Sequence, residues 1–561
     1  MSEQADPPRT FPSAAFAREV VAALAAHGVR EVVLCPGSRS GPLAHALAAA
    51  GSPHRPEGVP EIDLHVRIDE RAAAFLALGI ARGAAAKGEP RPVAVVTTSG
   101  TAVGNLLPAV MEASHEGVPL LLLTADRPSE LRGVGANQTT DQAGAMGDFV
   151  RLMEDVAPPA RGERTGRATR EIGEAVRASM GGATASPACA DELPGPVHLN
   201  LAFRAPLQED GGPWPRVTRT EPAPERRGWG LRDAFRGDPP PLPLRRRGLV
   251  IAGDGAGDAA RRVAEVHEWP LLAEPTSGAR TGPNCVPGYL ELLRSDRGRA
   301  LAKEATVVVV IGRPTLTREI QELIAKAPEL HVAGHGARWR EAPAHADTTV
   351  ACVPQTWLRR EGKPEDVTPE WLDWWLAAAP PHAEQWGADL IARTWLDALG
   401  PGDLAVVGSS GPIRAVDRMA PAWMPDQAPV LIANRGLAGI DGTVSTAVGV
   451  ALAAGAPAHA LMGDVTLLHD AGGLLVGPRE RRPDLRLTVV NDGGGTIFGS
   501  LEHAGADPDA VERVFTTPHG ALLASLAAAY GWAHTRVDTP DALAGVLATP
   551  PVGLQMVEAV L

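Results

Sequence analysis

Two stretches of the chain carry residue types that can hold a diphosphate and a metal ion together. In MGDVTLLHDAGGLL, Gly463 and Asp464 close an apolar run that reads as a strand, and a helical pattern follows at once. A carboxylate at such a junction can hold a divalent cation. Further on, LRLTVV opens into Asn491-Asp492-Gly493-Gly494-Gly495, a turn whose oxygens could complete the coordination while its amides face phosphate. Hard oxygen ligands suit a hard cation, so magnesium, or manganese in its place, is the natural inference. Alone, a Gly-Asp pair or a glycine run is ordinarily a tight turn. Their conjunction carries the signal.

A second set of residues is suited to acids and anions. The run DLHVRI ends at Asp69-Glu70, where the helix RAAAFLALGIARG begins, and an ordinary Glu there is a first-turn acid favoured by the helix dipole. Arg39 in CPGSRSGPL, Arg127 in TADRPSELRG, Arg414 in GSSGPIR and Arg435 in NRGLAGIDG all lie in Gly-, Ser- or Pro-bearing turns beside expected strand ends, where α/β sheets build ligand sites. Any one of them reads as a solvated surface arginine. That reading explains four of them, in a chain of net charge −13, poorly.

Positioning these groups requires regular elements, and the chain supplies them. Its 561 residues suffice for three or four domains. Short β-rich runs alternate with alanine-rich amphipathic stretches, first at EVVLCPG, DLHVRIDE and PVAVVTTSG, then at RRGLVIAGDG and ATVVVVIGRP, and finally at DLAVVGSSG, AHALMGDVT and LRLTVVNDGG. This is the pattern of βα units, and it predicts an α/β protein of three doubly wound parallel-sheet domains. The boundaries expected are 1–207, 248–378 and 379–561, with 208–247 as a linker because GDPPPLPLRRR sustains neither helix nor ladder. Trp371, Trp374 and Trp375 are expected to pack a helix rather than to form a ligand cage.

Composition excludes other classes. The acidic balance leaves no basic excess for general nucleic-acid binding. Cys35, Cys189, Cys285 and Cys352 form no C-x-x-C pair, which fits neither a zinc site nor a disulfide framework and points to a reducing cytoplasm. MSEQADPPRT lacks the features of a signal peptide, and runs such as VPLLLLTA are too short to span a bilayer, so a cytoplasmic protein without membrane insertion is expected.

The GDV…NDGGG pair, followed by Thr496-Ile497-Phe498, resembles the bipartite diphosphate motif of thiamine diphosphate enzymes. It departs at Val465, where many relatives have Gly, and at Asp492, where a second Asn is usual; Asp remains a hard oxygen ligand. The phrases CPGSRSGPL, TSGTAVGNLLPAVMEA, TADRPSELRGVGANQTTDQ, GSSGPIR and NRGLAGIDGTVSTAVG resemble, within that family, the menaquinone-pathway carboligases. The likeness runs in order from about Phe16 through GTIFGSLEH, with a weak middle.

It implies a pyrimidine-binding domain at 1–207, a central α/β domain and a diphosphate-binding domain at 379–561. Glu70 would hydrogen-bond the cofactor's aminopyrimidine and promote loss of the thiazolium C2 proton, which needs a partly desolvated carboxyl. Asp464, Asp492 and the Gly494 carbonyl would be metal ligands. Gly463, Asn491, Gly494 and Gly439 would contact the cofactor, and Ile440 would prop it in a bent shape. Arg39, Gln138, Arg414 and Arg435 would act on substrate. Ser38, Arg127, Asn137, Ser410 and, less securely matched, Arg318 would bind it, with Ile497, Phe498 and Leu501 as an apolar wall. The implied reaction decarboxylates 2-oxoglutarate and adds the resulting acyl-anion equivalent to isochorismate by 1,4-addition, in a homodimer or a dimer of dimers.

The bipartite motif and Glu70 fit equally another thiamine diphosphate-dependent 2-oxo acid decarboxylase or carboligase; the arginines separate the two readings. GDGAGDAA at 253–260 suggests nicotinamide dinucleotide binding, but Asp258 stands where the last small residue of that motif belongs. A non-enzymatic descendant of the fold would not need the candidate activator and metal ligands.

Overall fold

The computed structural model describes residues 11–160, 166–181, 194–217, 241–243, 247–334, 345–350, 352–359, 370–377, 382–500, 505 and 507–561. Two compact units divide the chain. The first comprises Met1–Arg226 with Asp441–Gly455 and Asp470–Pro483; the second comprises Arg227–Ile440, Ala456–His469 and Asp484–Leu561.

In the first unit, β1 (Glu31–Leu34), β2 (Asp63–Val66), β3 (Val93–Thr97), β4 (Leu120–Asp126), β5 (Met153–Val156) and β6 (Pro196–Ala202) form one sheet in the order β2-β1-β3-β4-β6-β5. All its pairings are parallel. Strands covered on both faces must be apolar throughout, and VAVVT and LLLLTAD are buried at every position. Helices Pro12–Ala26 and Arg167–Ser179 pack on this sheet around Phe16, Leu24, Leu121, Leu199 and Phe203. Helix Glu70–Ala86 lies against helix Thr443–Ala454, and glycines set the closeness. A Cβ on Gly79 would stand 2.2 Å from the Thr446 carbonyl oxygen, and one on Gly449 would stand 2.3 Å from that of Leu76. Strand order reverses between β1 and β3, so the turns after both strands open at the switch point.

The second unit holds two sheets. β7 (Gly248–Ala252), β8 (Leu271–Ala273), β9 (Val307–Ile311), β10 (Leu330–Ala333) and β11 (Thr348–Val350) take the order β11-β10-β9-β7-β8. β12 (Leu404–Val407), β13 (Val430–Ile432), β14 (Ala458–Gly463), β15 (Leu485–Asn491), β16 (Ala533–Val537) and β17 (Leu554–Val560) take the order β13-β12-β14-β15-β17-β16. The first and third sheets thus share one winding. All three are parallel, as the alternation of elements requires.

The tryptophans behave as packing groups. Trp371 and Trp375 are buried with ring centroids 5.8 Å apart, and Trp371 Nε1 donates to the Gly248 carbonyl at 2.9 Å. The Gly253–Gly257 turn after β7 is filled by its own chain. The amide of Ala256 donates to the Gly253 carbonyl within the loop, and those of Asp254 and Gly257 donate to the carbonyls of Arg313 and Ser277 in neighbouring segments, so all three are committed. Residues 218–240 and 244–246 of the expected linker, the break at 379–381 and Cys189 lie outside the described residues. Among the described residues no helix is long and apolar enough to cross a membrane.

Candidate active site

In the second unit, β14 and β15 are adjacent and in register at Gly463 and Val490, so the residues that follow them meet. Asp464, 2% exposed, begins helix Asp464–His469. Its Oδ1 accepts from the Val465 amide at 2.6 Å, and its Oδ2 accepts from the Gly493 amide at 2.9 Å and lies 3.0 Å from His519 Nε2. Asn491 Oδ1 accepts from the same Gly493 amide at 3.2 Å, while its Nδ2 donates to Glu558 at 2.7 Å. Thr496 Oγ1 donates to Asp492, whose carboxyl burial pushes up, with the charge of Asp464 adding to the rise.

Two acids at adjacent strand ends, with backbone oxygens beside them, form a hard-oxygen set suited to a divalent cation. Among the described residues no group of three or more His, Cys, Asp or Glu could hold a metal, so such a site depends on backbone and phosphate oxygens as well. The turn is also shaped to keep side chains out. Gly493 has φ +81°, a Cβ on Gly494 would stand 2.4 Å from the Thr516 carbonyl oxygen, and one on Gly495 would stand 2.8 Å from that of Phe515. The residues present fit a diphosphate and its metal.

The same unit carries two candidate substrate arginines at strand ends. Ser410, with φ 73°, precedes helix Gly411–Met419, and Arg414 Nη1 donates to the Ser410 carbonyl at 2.8 Å. Burial lowers the Arg414 pKa, and the charges of Arg435 and Arg418 lower it further. Arg435 is 3% exposed, donates to Thr315 Oγ1 at 2.7 Å, and its carbonyl accepts from Arg313. Arg318 begins helix Arg318–Ala325 in an exposed position, three residues past Thr315. Gly439 and Ile440 are half-buried beyond Ala438, which is held at φ 58°. Ile497 and Phe498 are half-buried; Phe498 packs on Phe515 with centroids 5.5 Å apart, and Leu501 lies outside the described residues.

Glu274 is a residue that sequence reasoning missed. It is buried, accepts from the Leu316 amide at 2.9 Å, and its pKa is raised from 4.5 to about 8 by burial and then by Asp417, against a smaller opposing effect of Arg435. A carboxyl that holds its proton more tightly folded than unfolded makes stability fall as pH rises from about 4.5 to about 8. Glu274→Gln should therefore flatten the decline of Tm across that window; a slope equal to the parent's would remove Glu274 as its cause.

In the first unit, Glu70 opens helix Glu70–Ala86 at the end of the β2 turn, with Asp69 as N-cap accepting from the Arg71 and Ala72 amides at 2.8 and 3.2 Å. Glu70 is half-buried, and Asn105 Nδ2 donates to its Oε2 at 3.2 Å. At the switch point Arg39 is half-buried and donates to the Phe203 carbonyl at 2.9 Å, with Ser38 exposed beside it. Burial lowers the Arg39 pKa, and the charge of Arg127 lowers it further. Arg127 is 8% exposed, and its Nη1 donates to Ser99 Oγ at 2.6 Å and to the Gln138 carbonyl at 2.7 Å. Asn137 and Gln138 are exposed on the following loop, Gln138 with φ 57°. The first unit thus gathers Ser38, Arg39, Arg127 and Gln138 around one strand-end region, and the second gathers the Asp464 group and, separately, Arg414 with Arg435. His519 carried no motif signal that would have singled it out; Thr496 and Asn105 lie within the phrases that carry the resemblance, but nothing in those phrases marked their contacts with Asp492 and Glu70.

A parallel-sheet chain with an acid opening the helix after β2 and a turn of acids and glycines after β14 and β15 corresponds to a known class. Residues 15–145 match the family model for the thiamine pyrophosphate enzyme, N-terminal TPP binding domain. The crystal structure of benzoylformate decarboxylase from Polynucleobacter necessarius shares the fold, with TM-score 0.69 over 97% of this chain and 98% of that one at 16% identity. The chain is a thiamine diphosphate enzyme. It is 43% identical to the 2-succinyl-5-enolpyruvyl-6-hydroxy-3-cyclohexene-1-carboxylate synthase of Paenarthrobacter aurescens, over 97% of this chain and 93% of the relative, and 42% identical to the synthase of that name from Nocardioides sp., over 98% and 95%. It belongs to the 2-succinyl-5-enolpyruvyl-6-hydroxy-3-cyclohexene-1-carboxylate synthase family.

Proposed function

We infer that this chain decarboxylates 2-oxoglutarate and joins its succinyl carbon unit to isochorismate by 1,4-addition, releasing carbon dioxide. The observation that carries this reading is the placing of arginines in pairs at buried or partly buried strand-end turns, Arg39 with Arg127 and Arg414 with Arg435, where burial first and the neighbouring guanidinium second lower the pKa of Arg39 and of Arg414. Two guanidiniums held together in partly buried turns raise the free energy of the empty site, and a bound dianion relieves it. Both proposed substrates are dianions.

When bound, thiamine diphosphate supplies the electron sink for decarboxylation and the carbon nucleophile that follows. Asp464, Asp492 and the Gly494 carbonyl would hold magnesium against its diphosphate, with Asn491 and Gly463 alongside and Ile440 and Gly439 supporting its body. Glu70 would exchange a proton with its aminopyrimidine. The arginines, with Ser38, Asn137, Gln138, Ser410 and Arg318, orient the carboxylates, while Ile497 and Phe498 exclude the water that would divert the reaction to succinate semialdehyde. The proposed active species is a cytoplasmic homodimer, or a dimer of dimers, in which one subunit supplies Glu70 and the other the Asp464 group.

Donor competition tests the reading. Turnover should require a 2-oxo dicarboxylate, and monoanionic pyruvate or benzoylformate should fail to replace 2-oxoglutarate; equal use of pyruvate would favour a different 2-oxo acid carboligase. Asp464→Ala should abolish the Tm rise that thiamine diphosphate with magnesium gives the parent, since a ligand stabilises only while it binds. An unchanged rise would remove Asp464 from the site. Mixing inactive Glu70→Gln and Asp464→Ala subunits should restore activity, and failure despite demonstrated exchange would contradict the shared site.

A further inference from the structure

A buried polar bundle lies behind Arg127 and Gln138, and no step described above uses it. Gln142 is 1% exposed with every direction of its amide engaged: Nε2 donates to the Ala125 carbonyl at 3.1 Å and to Asn200 Oδ1 at 2.7 Å, and Oε1 accepts from the Gly100 amide at 3.1 Å. Asn200 is fully buried; its Oδ1 also accepts from Thr124 Oγ1 at 3.1 Å, and its Nδ2 donates to Asp126 at 3.0 Å and to Asp155 at 2.8 Å. Arg132 closes the bundle. Its Nε lies 2.9 Å from Asp126 Oδ2 and donates to the Arg127 carbonyl at 2.9 Å, while its Nη groups engage Asp155 at 2.5 and 3.0 Å.

The bundle ends on the candidate substrate residues. Asp126 Oδ1 accepts from the Arg127 amide at 2.7 Å, so both the amide and the carbonyl of Arg127 are anchored in it. Gln142 fixes Gly100, which lies against Gln138; a Cβ on Gly100 would stand 2.9 Å from Gln138 Cγ. Gln138 Nε2 in turn donates to the Ser99 carbonyl at 2.8 Å, and Ser99 Oγ donates to the Gln138 carbonyl at 3.0 Å. Apolar side chains would fill the buried part of this space with less desolvation than Asp126, Gln142 and Asn200. What a fully satisfied polar network adds is a single arrangement of the groups attached to it.

We propose that Gln142, Asn200 and Arg132 are positioning residues that hold Arg127 and Gln138 ready to receive a substrate carboxylate. The inference rests on the reading that Arg127 and Gln138 touch substrate. Gln142→Met keeps the length of the side chain without its hydrogen bonds, and Arg132→Lys keeps the charge without the fork. The test measures kcat/KM for each substrate, and thiamine diphosphate affinity, for each variant alone, for Arg132→Lys combined with Arg127→Ala, and for Gln142→Met combined with Gln138→Ala.

Each single variant should lower kcat/KM by ~10-fold or more through displacement of the carboxylate contacts, raising KM for one substrate while cofactor affinity stays within about twofold. In the Arg127→Ala background Arg132→Lys should cost less than about threefold, and in a Gln138→Ala background Gln142→Met should likewise, because the group each one positions is gone. Full additivity, a parallel loss of cofactor affinity, or no effect of either variant would overturn the inference. If Gln142→Met fails to fold, Arg132→Lys, partly exposed and charge-conserving, decides the matter. A parent enzyme that turns over neither substrate overturns the underlying reading, whereas additive losses in an active parent overturn this inference alone.

Discussion

Glu70→Gln should reduce turnover by at least about a hundredfold, the usual scale of a lost acid–base group, while leaving thiamine diphosphate binding within a few-fold of the parent. The amide keeps the shape at the start of helix Glu70–Ala86, and Asp69 still caps that helix, so the fold is not under test. What changes is proton exchange: an amide cannot take or return a proton at the aminopyrimidine. In the proposed arrangement diphosphate anchoring would belong to Asp464, Asp492 and the glycine turn, hence the expected separation of binding from turnover. Activity within a few-fold of the parent, read alongside normal cofactor binding, would contradict the role given to Glu70.

Arg414→Ala is the second large effect. A charge-assisted contact to a carboxylate contributes about 1.5–3 kcal/mol, and each 1.4 kcal/mol is tenfold, so kcat/KM should fall by roughly 10- to 100-fold. Removing one of two mutually repelling guanidiniums should at the same time relieve the free protein, leaving Tm unchanged or slightly raised. Lysine should recover only part of the loss, since it supplies charge without the planar fork. Cofactor affinity should hardly move. Weakened thiamine diphosphate binding with both substrates spared would instead place Arg414 at the diphosphate and leave only the broader class standing.

The fold was legible because parallel strands buried on both faces must be apolar, and the runs VVVVI and LLLLTAD stand out between amphipathic stretches. The strand order was not. Nothing local in the sequence tells β5 to pair beyond β6, or β16 beyond β17, since that choice is made by the packing of the crossover helices. The turns that end in Asp464 and Asp492 were legible because strand, acid and glycine run in one phrase. His519, which contacts Asp464, was not, because it reaches its partner from a loop 55 residues further along the chain. Glu274 was hidden for a further reason: what marks it is burial beside Asp417, a non-local property with no short-range signature. The network behind Arg127 was equally invisible, because it joins β4, β5 and β6 across distant parts of the chain.

The proposed reaction joins two dianions, and the identity of its product decides whether it occurs. Purified protein with thiamine diphosphate, magnesium, carbon-labelled 2-oxoglutarate and isochorismate should yield a product whose mass is that of isochorismate plus the labelled four-carbon succinyl unit, with one carbon dioxide released per product formed. Labelled succinate semialdehyde as the sole product, with isochorismate recovered intact, would contradict the account.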